Sequence, residues 1–351
     1  MKRLILCCDG TWNTADQQKD GEACPSNVVR LAYRLAKRDG DIPQIIYYDQ
    51  GVGTGNWVDR ISGGAFGHGL EDNIHDAYRF LIANYEVGDE IHLFGFSRGA
   101  FTARSIGGMI RKCGILRRDH IDQYVQALTM YRSDVIHPDD DAAFQFRSDF
   151  SENPADITIK FVGVWDTVGS LGIPLRGLRS LTRSKHQFHD TELSGTVAFA
   201  YQALAIDEHR APFEPTLWLN KPKAGQTVEQ TWFCGAHSDV GGGYPECELA
   251  DITLGWMIEK AKAHLKFDQR AMEGFRLKPD PLGMIHNSKT GLYRVTAGID
   301  RTIGLDKTKR VDASQSIHPT VLKRWDANKE YRPDSLRTYF KLTNDPRGSQ
   351  P

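Results

Sequence analysis

The stretch Ile91-His92-Leu93-Phe94-Gly95-Phe96-Ser97-Arg98-Gly99-Ala100 decides how this chain is read. An apolar run with the character of a buried strand passes directly into G-x-S-x-G. The residues that follow, Phe101, Ala103, Ile106, Gly107 and Ile110, recur at helical spacing with small and apolar side chains. Small residues at both ends of the pentapeptide permit a tight strand-to-helix turn, so the serine hydroxyl projects from a strained backbone instead of lying along the helix. Ser97 is therefore the candidate nucleophile, and the helix after it is suited to packing on a sheet.

Outward from this point, residues 4–8, 44–48, 157–165 and 230–234 join 91–96 as strand-like segments ending in short polar or glycine-containing turns. Helical patterns separate the early ones. Val28, Leu31, Ala32, Leu35 and Ala36 follow Ser26, a plausible N-cap, and Ile74, Ala77, Tyr78, Leu81 and Ile82 precede the serine strand. Strands alternating with helices imply parallel pairing through crossovers. The expected fold is α/β and α/β-hydrolase-like: a mostly parallel central sheet flanked by helices, with helical and loop insertions forming a cap. One domain is expected over 1–343, with a core at 2–265, cap insertions at 117–156 and 175–223, and a C-terminal extension at 267–343. Within the core, a helix at 251–265 is expected with Asp251 as its cap. The tail 344–351 reads as disordered.

Composition narrows the function classes. The 351 residues carry 44 Lys and Arg against 45 Asp and Glu, a net charge of −1, which gives no basic stripe for nucleic acid. A local cluster, Arg176, Arg179, Arg183 and Lys185, could meet an anionic headgroup or phosphate. The six cysteines have no C-x-x-C spacing and read as reduced, buried thiols. The apolar run after Met1-Lys2-Arg3 is too short for a signal-peptide core, and no run reaches membrane-spanning length, so a soluble, cytoplasmic protein is expected, with specialised export left open. The glycines at 51, 53, 55, 63, 64, 67 and 69 match neither phosphate-binding fingerprint, and no cofactor is called for.

A serine hydroxyl needs a histidine base and usually an acid to orient it. In this architecture their order is Ser, then Asp or Glu, then His, each following a later strand. Asp166 directly follows Phe161-Val162-Gly163-Val164-Trp165, and His237 follows Thr231-Trp232-Phe233-Cys234 and precedes Gly241-Gly242-Gly243. His318 is the rival base, His209 reads as a helix-end residue, and Asp207 and Asp239 are rival acids. The oxyanion hole is expected from the backbone N–H of Arg98 together with Gly10 or Thr11 in the loop after the first strand. Asp9-Gly10-Thr11 also raises a phosphohydrolase reading, but D-x-D-G-T would need an aspartate where Cys7 stands. Asp9 and Asp239 remain as supporting residues or as ligands of a cation.

Taken together, Cys8-Asp9-Gly10-Thr11-Trp12-Asn13, Gly95-Phe96-Ser97-Arg98-Gly99-Ala100, Val164-Trp165-Asp166-Thr167-Val168-Gly169 and the run from His237 to Tyr244 resemble one family. It is the α/β-hydrolase family of the type VI secretion phospholipase effector catalytic domain. Ala205-Ile206-Asp207-Glu208-His209-Arg210 resembles it as well. The resemblance implies Ser97 as nucleophile, Asp166 as acid and His237 as base, with ester hydrolysis and a lipid or small-molecule ester as substrate. The large membrane-anchoring module of toxin-like members is expected to be missing, which leaves peripheral membrane contact and oligomeric state open. A non-catalytic lipid- or partner-binding protein on a hydrolase scaffold and a metal-assisted phosphodiester hydrolase are the alternatives.

Overall fold

The side chains of residues 4–8 are all buried: Leu4, Leu6 and Cys8 face one layer of helices, Ile5 and Cys7 the other. Burial on both faces is what the centre of a parallel sheet demands. The computed structural model describes residues 1–11, 13–51, 65–153, 155–169, 193–219, 222–290, 293–294, 298–306 and 310–349. Arg176, Arg179, Arg183, Lys185 and the glycines at 53, 55, 63 and 64 lie outside these residues, as does Trp12.

The chain opens with β1 (Arg3–Cys8), a small hairpin of β2 (Gln18–Lys19) and β3 (Glu22–Ala23), and α1 (Asn27–Ala32). Next come β4 (Arg38–Asp39), β5 (Ile42–Asp49), α2 (Ala65–Asn84), β6 (Glu90–Phe96) and α3 (Arg98–Cys113). Helices α4 (Tyr124–Arg132) and α5 (Asp141–Phe150) precede β7 (Ile159–Trp165), β8 (Val197–Ala205) and β9 (Thr227–Phe233). Short α6 (His237–Gly241), α7 (Glu248–Ala261) and α8 (Gln269–Gly274) lead to β10 (Gln315–Ile317), α9 (Pro319–Ala327) and α10 (Asp334–Leu342).

The main sheet has eight strands in the order β10-β9-β8-β7-β6-β1-β5-β4. Every pairing in it is parallel except the β4–β5 edge. Helices α2 and α3 cover one face through Tyr78, Leu81, Ala103 and Ile106. On the other face lie α1 and α7, through Val28, Leu31, Leu254 and Met257. Ser26 caps α1 as the sequence suggests, its Oγ accepting the Val29 N–H at 3.3 Å. All six cysteines are free thiols, and five are buried. Among the described residues, no helix is long and apolar enough to cross a membrane.

Several expected boundaries are corrected. The span 175–223 is not all insertion, because Val197–Ala205 is a buried internal strand pairing with both β7 and β9. The insertion at 117–156 does not cap the site: Cys113 bonds to the Ala127 carbonyl, Lys112 to those of Tyr131 and Ser133, and Arg147 to those of Arg111 and Lys112. These contacts lie at the far end of α3, roughly 24 Å from Ser97 at 1.5 Å per residue. Asp251 is not a cap but lies within the first turn of α7, pairing with Arg30 and accepting the Lys278 N–H. The extension after 267 contributes the edge strand β10 and a third apolar core around Trp232, Val321, Trp325, Leu336 and Phe340. In the tail, Pro346–Ser349 forms a 3-10 turn with Arg347 paired to Asp326 and Asp345, while 350 and 351 lie outside the described residues.

Two glycines of α3 have opposite roles. A Cβ on Gly99 would stand 2.1 Å from the Cys8 carbonyl oxygen, whereas one on Gly107 would meet Ile159 Cδ1 at an ordinary 3.6 Å. Gly99→Ala is therefore expected to destabilise by about 2–3 kcal/mol through backbone collision. Gly107→Ala should stabilise by about 0.5–1 kcal/mol through helix propensity. Urea unfolding followed by far-UV circular dichroism checks both, and equal stability of the two variants contradicts this packing.

Candidate active site

Parallel register brings the signature segments level at one edge of the sheet. Cys8 is opposite Gly95, Phe96 opposite Trp165, Trp165 opposite Ala203, and Ala205 opposite Phe233. The residues after these strands, Asp9 to Thr11, Ser97, Asp166 and the turn into His237, therefore gather at the C-terminal strand ends, where open α/β sheets build their sites.

Ser97 has φ 58° and ψ −121°, a conformation costly for a residue with a Cβ, and is buried at 7% exposure. Its N–H donates to the Trp165 carbonyl at 3.0 Å, tying the elbow to β7. The flanking glycines make the turn possible: a Cβ on Gly95 would stand 2.4 Å from the Gly99 carbonyl oxygen, and Gly99 rests on the backbone of Cys8 and Asp9. Gly10 is beside the serine, since a Cβ there would lie 3.3 Å from that of Ser97. Gly10 does not serve as an oxyanion donor, because its N–H donates to Asp9 Oδ1 at 2.7 Å. The loop's remaining candidate donor is then the Thr11 N–H, together with that of Arg98, the first residue of α3.

Asp166 is fully buried, also with positive φ (40°), and its Oδ2 lies 2.6 Å from His237 Nδ1. Burial is the largest influence on its carboxyl and opposes ionisation. The Arg301 charge and the His237 contact outweigh it and hold the group well below the usual carboxylate range. Burial likewise pushes the His237 imidazole below its ordinary value, against the pull of Asp166, with the Arg210 charge adding to the lowering. The imidazole packs between Phe96, at 4.6 Å between centroids, and Phe213, at 5.0 Å edge-on. The glycines after His237 have a clear purpose: a Cβ on Gly241 would penetrate the Phe96 ring, and Gly242 (φ 82°) lies against the backbone of Ser26 and Asn27.

The rivals are placed elsewhere. His318 caps α9, bonding Thr320 through Nδ1 and stacking on Phe233, and burial pushes its pKa down to about 4. His209 is in the turn after β8 rather than at a helix end, its Nδ1 3.2 Å from both the Ile299 carbonyl and Asp300. Asp207 accepts from the Gly235 N–H and the Tyr331 hydroxyl, bracing the loop before His237. Asp9 spends one oxygen on Gly10 and Asn13 and the other on Ser26 and Tyr48. Asp239 accepts the Ala236 and His286 N–H groups and pairs with His286 Nδ1 at 2.6 Å. Asp9 and Asp239 thus hold separate loops, and no group of three His, Cys, Asp or Glu side chains suited to a metal stands among the described residues.

Sequence reasoning missed Arg301, Glu208 and His286. Buried Glu208 accepts the Arg210 guanidinium, the Ser288 hydroxyl and the His237 N–H. Glu208 and Arg210 stand in the charged run Asp207-Glu208-His209-Arg210, but nothing in the sequence shows that this run meets His237. No sequence signal marks Arg301 or His286, which arrive from a weakly patterned region.

The sheet and the geometry at its edge define an α/β-hydrolase-like protein. The model of the family "T6SS, Phospholipase effector Tle1-like, catalytic domain" matches residues 2–260, and the chain belongs to this family. A search of curated proteins finds an uncharacterised protein of Saccharomyces cerevisiae, 29% identical over 242 residues, covering 63% of this chain and 33% of the relative. Among solved structures, similarity is found to an uncharacterised protein from Pseudomonas aeruginosa (18% identity, TM-score 0.43, 77% of this chain and 47% of that one). Another is the Tle1 effector bound to the VgrG spike of the type 6 secretion system (20% identity, TM-score 0.39, 69% and 51%). The chain spans a third to about half of the length of these relatives.

Because Asp239 joins the start of α6 to His286, Asp239→Asn and His286→Ala should each lower stability by about 1–2 kcal/mol. Their losses should overlap in the double variant. Thermal unfolding measures this, and additive losses mean that the two residues act separately.

Proposed function

We propose that the chain is a serine hydrolase that cleaves a carboxylic ester of a lipid through an acyl-enzyme intermediate. The observation that carries this reading is the buried Asp166–His237 contact of 2.6 Å, beside a serine held at positive φ on the adjacent strand end. With Nδ1 committed to Asp166, the imidazole has Nε2 left to take the Ser97 proton. The Ser97 oxygen attacks the ester carbonyl, and the developing oxyanion is received by the Arg98 and Thr11 N–H groups. His237 then returns the proton to the departing alcohol, and water, activated by the same imidazole, releases the acid. A lipid ester is supported by family membership and by the aromatic wall beside the base, where Phe213 lies 5.0 Å from His237 and 5.9 Å from Tyr293.

Labelling with a fluorophosphonate tests the nucleophile. The protein should label, Ser97→Ala should not, and its kcat/KM on ester substrates should fall by about 10³-fold or more. A folded protein that stays unlabelled contradicts the proposal. Comparison of soluble short-chain esters with phospholipid vesicles tests the substrate class, and a preference for soluble esters goes against lipid.

The pH dependence has a definite sign. Only neutral His237 accepts a proton, and burial sets its titration below the ordinary 6.5. kcat/KM should therefore already be on its plateau at neutral pH and fall only as pH drops beneath 6.5. An acid limb centred above that value contradicts the assignment of the base.

A further inference from the structure

Arg301 is 3% exposed and belongs to the segment 298–306, beyond the residues matched by the family model. Its Nη1 donates to Asp166 Oδ1 at 2.6 Å and to the Ala205 carbonyl at 2.7 Å. Its Nη2 donates to Asp166 Oδ2 at 2.9 Å and to the Phe213 carbonyl at 2.5 Å. Asp166 Oδ1 also accepts the Ala205 N–H at 3.0 Å, and Oδ2 faces His237. Both carboxylate oxygens therefore have two partners each, and rotation of the carboxylate would break a planar fork.

We propose, on the hydrolase reading above, that Arg301 is a positioning residue: it locks Asp166 in the orientation that presents Oδ2 to His237, and it shares the negative charge that would otherwise act on the imidazole alone. Among the described residues, the charged groups acting on the imidazole are Asp166, held by Arg301, and Glu208, held by Arg210. Two anions face two cations. Among the described residues, the rings packed on it are those of Phe96 and Phe213, which are neutral. Removing Arg301 leaves one uncompensated negative charge beside His237, which favours the protonated imidazole. A lysine would preserve the charge but offer one ammonium in place of the fork.

The test uses Arg301→Gln and Arg301→Lys in the full chain, with active sites counted by fluorophosphonate titration so that misfolded protein is excluded. For Arg301→Gln, kcat per active site should fall about 10- to 100-fold at little-changed KM, and the acid limb of kcat/KM should move up by about one pH unit. For Arg301→Lys, kcat should fall while the acid limb stays near that of the unaltered protein, because the cation remains. A merely structural role would lower the number of titratable sites and the unfolding temperature without moving the limb or the kcat of the surviving sites, and that result overturns the proposal. If Arg301→Gln fails to fold, Arg301→Lys decides: wild-type kcat per site overturns it, and reduced kcat with an unmoved limb supports it. If the unaltered protein does not label at all, the hydrolase reading fails and this inference falls with it. Normal labelling of the unaltered protein with indifferent variants removes the role of Arg301 alone.

Discussion

The buried carboxylate of Asp166 is the point on which the rest of the site depends. An anion with no exposure to solvent is tolerated inside a protein only when charge and hydrogen bonds surround it. Here the surrounding groups come from three other parts of the chain: Ala205 at the end of β8, His237 opening α6, and Arg301, itself held by the Phe213 carbonyl. Each must be within hydrogen-bond distance at once. The requirement fixes how far α6 reaches back across β8 and where the segment 298–306 docks.

A second constraint is close backbone approach around Ser97. At Gly51, Gly95, Gly99 and Gly241, a Cβ would collide with Gly10, with the 99–100 backbone, with the backbone of Cys8 and Asp9, and with the Phe96 ring. These contacts hold Ser97 in a conformation worth roughly 1–3 kcal/mol of strain. The bond from the Ser97 N–H to the Trp165 carbonyl links that strain to the strand that carries Asp166. The Ser97 turn and Asp166 are thus one mechanical unit, and the register of β6 on β7, in step from His92 to Phe96, is its base.

The backbone that carries His237 is braced by residues late in the chain. Ser288 bonds Glu208, whose other oxygen accepts the His237 N–H, and His286 bonds Asp239 at the start of α6 while stacking on Tyr244 at 3.8 Å. Residues beyond the family match at 260 therefore complete the surroundings of residues within it. Burial, which disfavours charge on every group here, is offset pair by pair: Asp166 with Arg301, Glu208 with Arg210.

From sequence alone, local patterns determined the alternating strands and helices, the Ser26 cap, the elbow at Ser97 and the strand-end positions of Asp166 and His237, because these depend on neighbours within a few residues. Strand β8 escaped notice: its alanine-rich run, broken by Gln202, stands within a span otherwise rich in charge and proline, and its burial is imposed by β7 and β9 on either side. Tertiary structure decided which histidine meets Asp166, since His237 and His318 each follow a strand and only folding brings one of them to the carboxylate. It also decided that the Gly10 N–H is taken up by the Asp9 carboxylate, and that Arg301, 135 residues from its partner, closes the charge balance. Long-range contacts of this kind leave no periodic trace, because their partners are set by how the strands are ordered in the sheet.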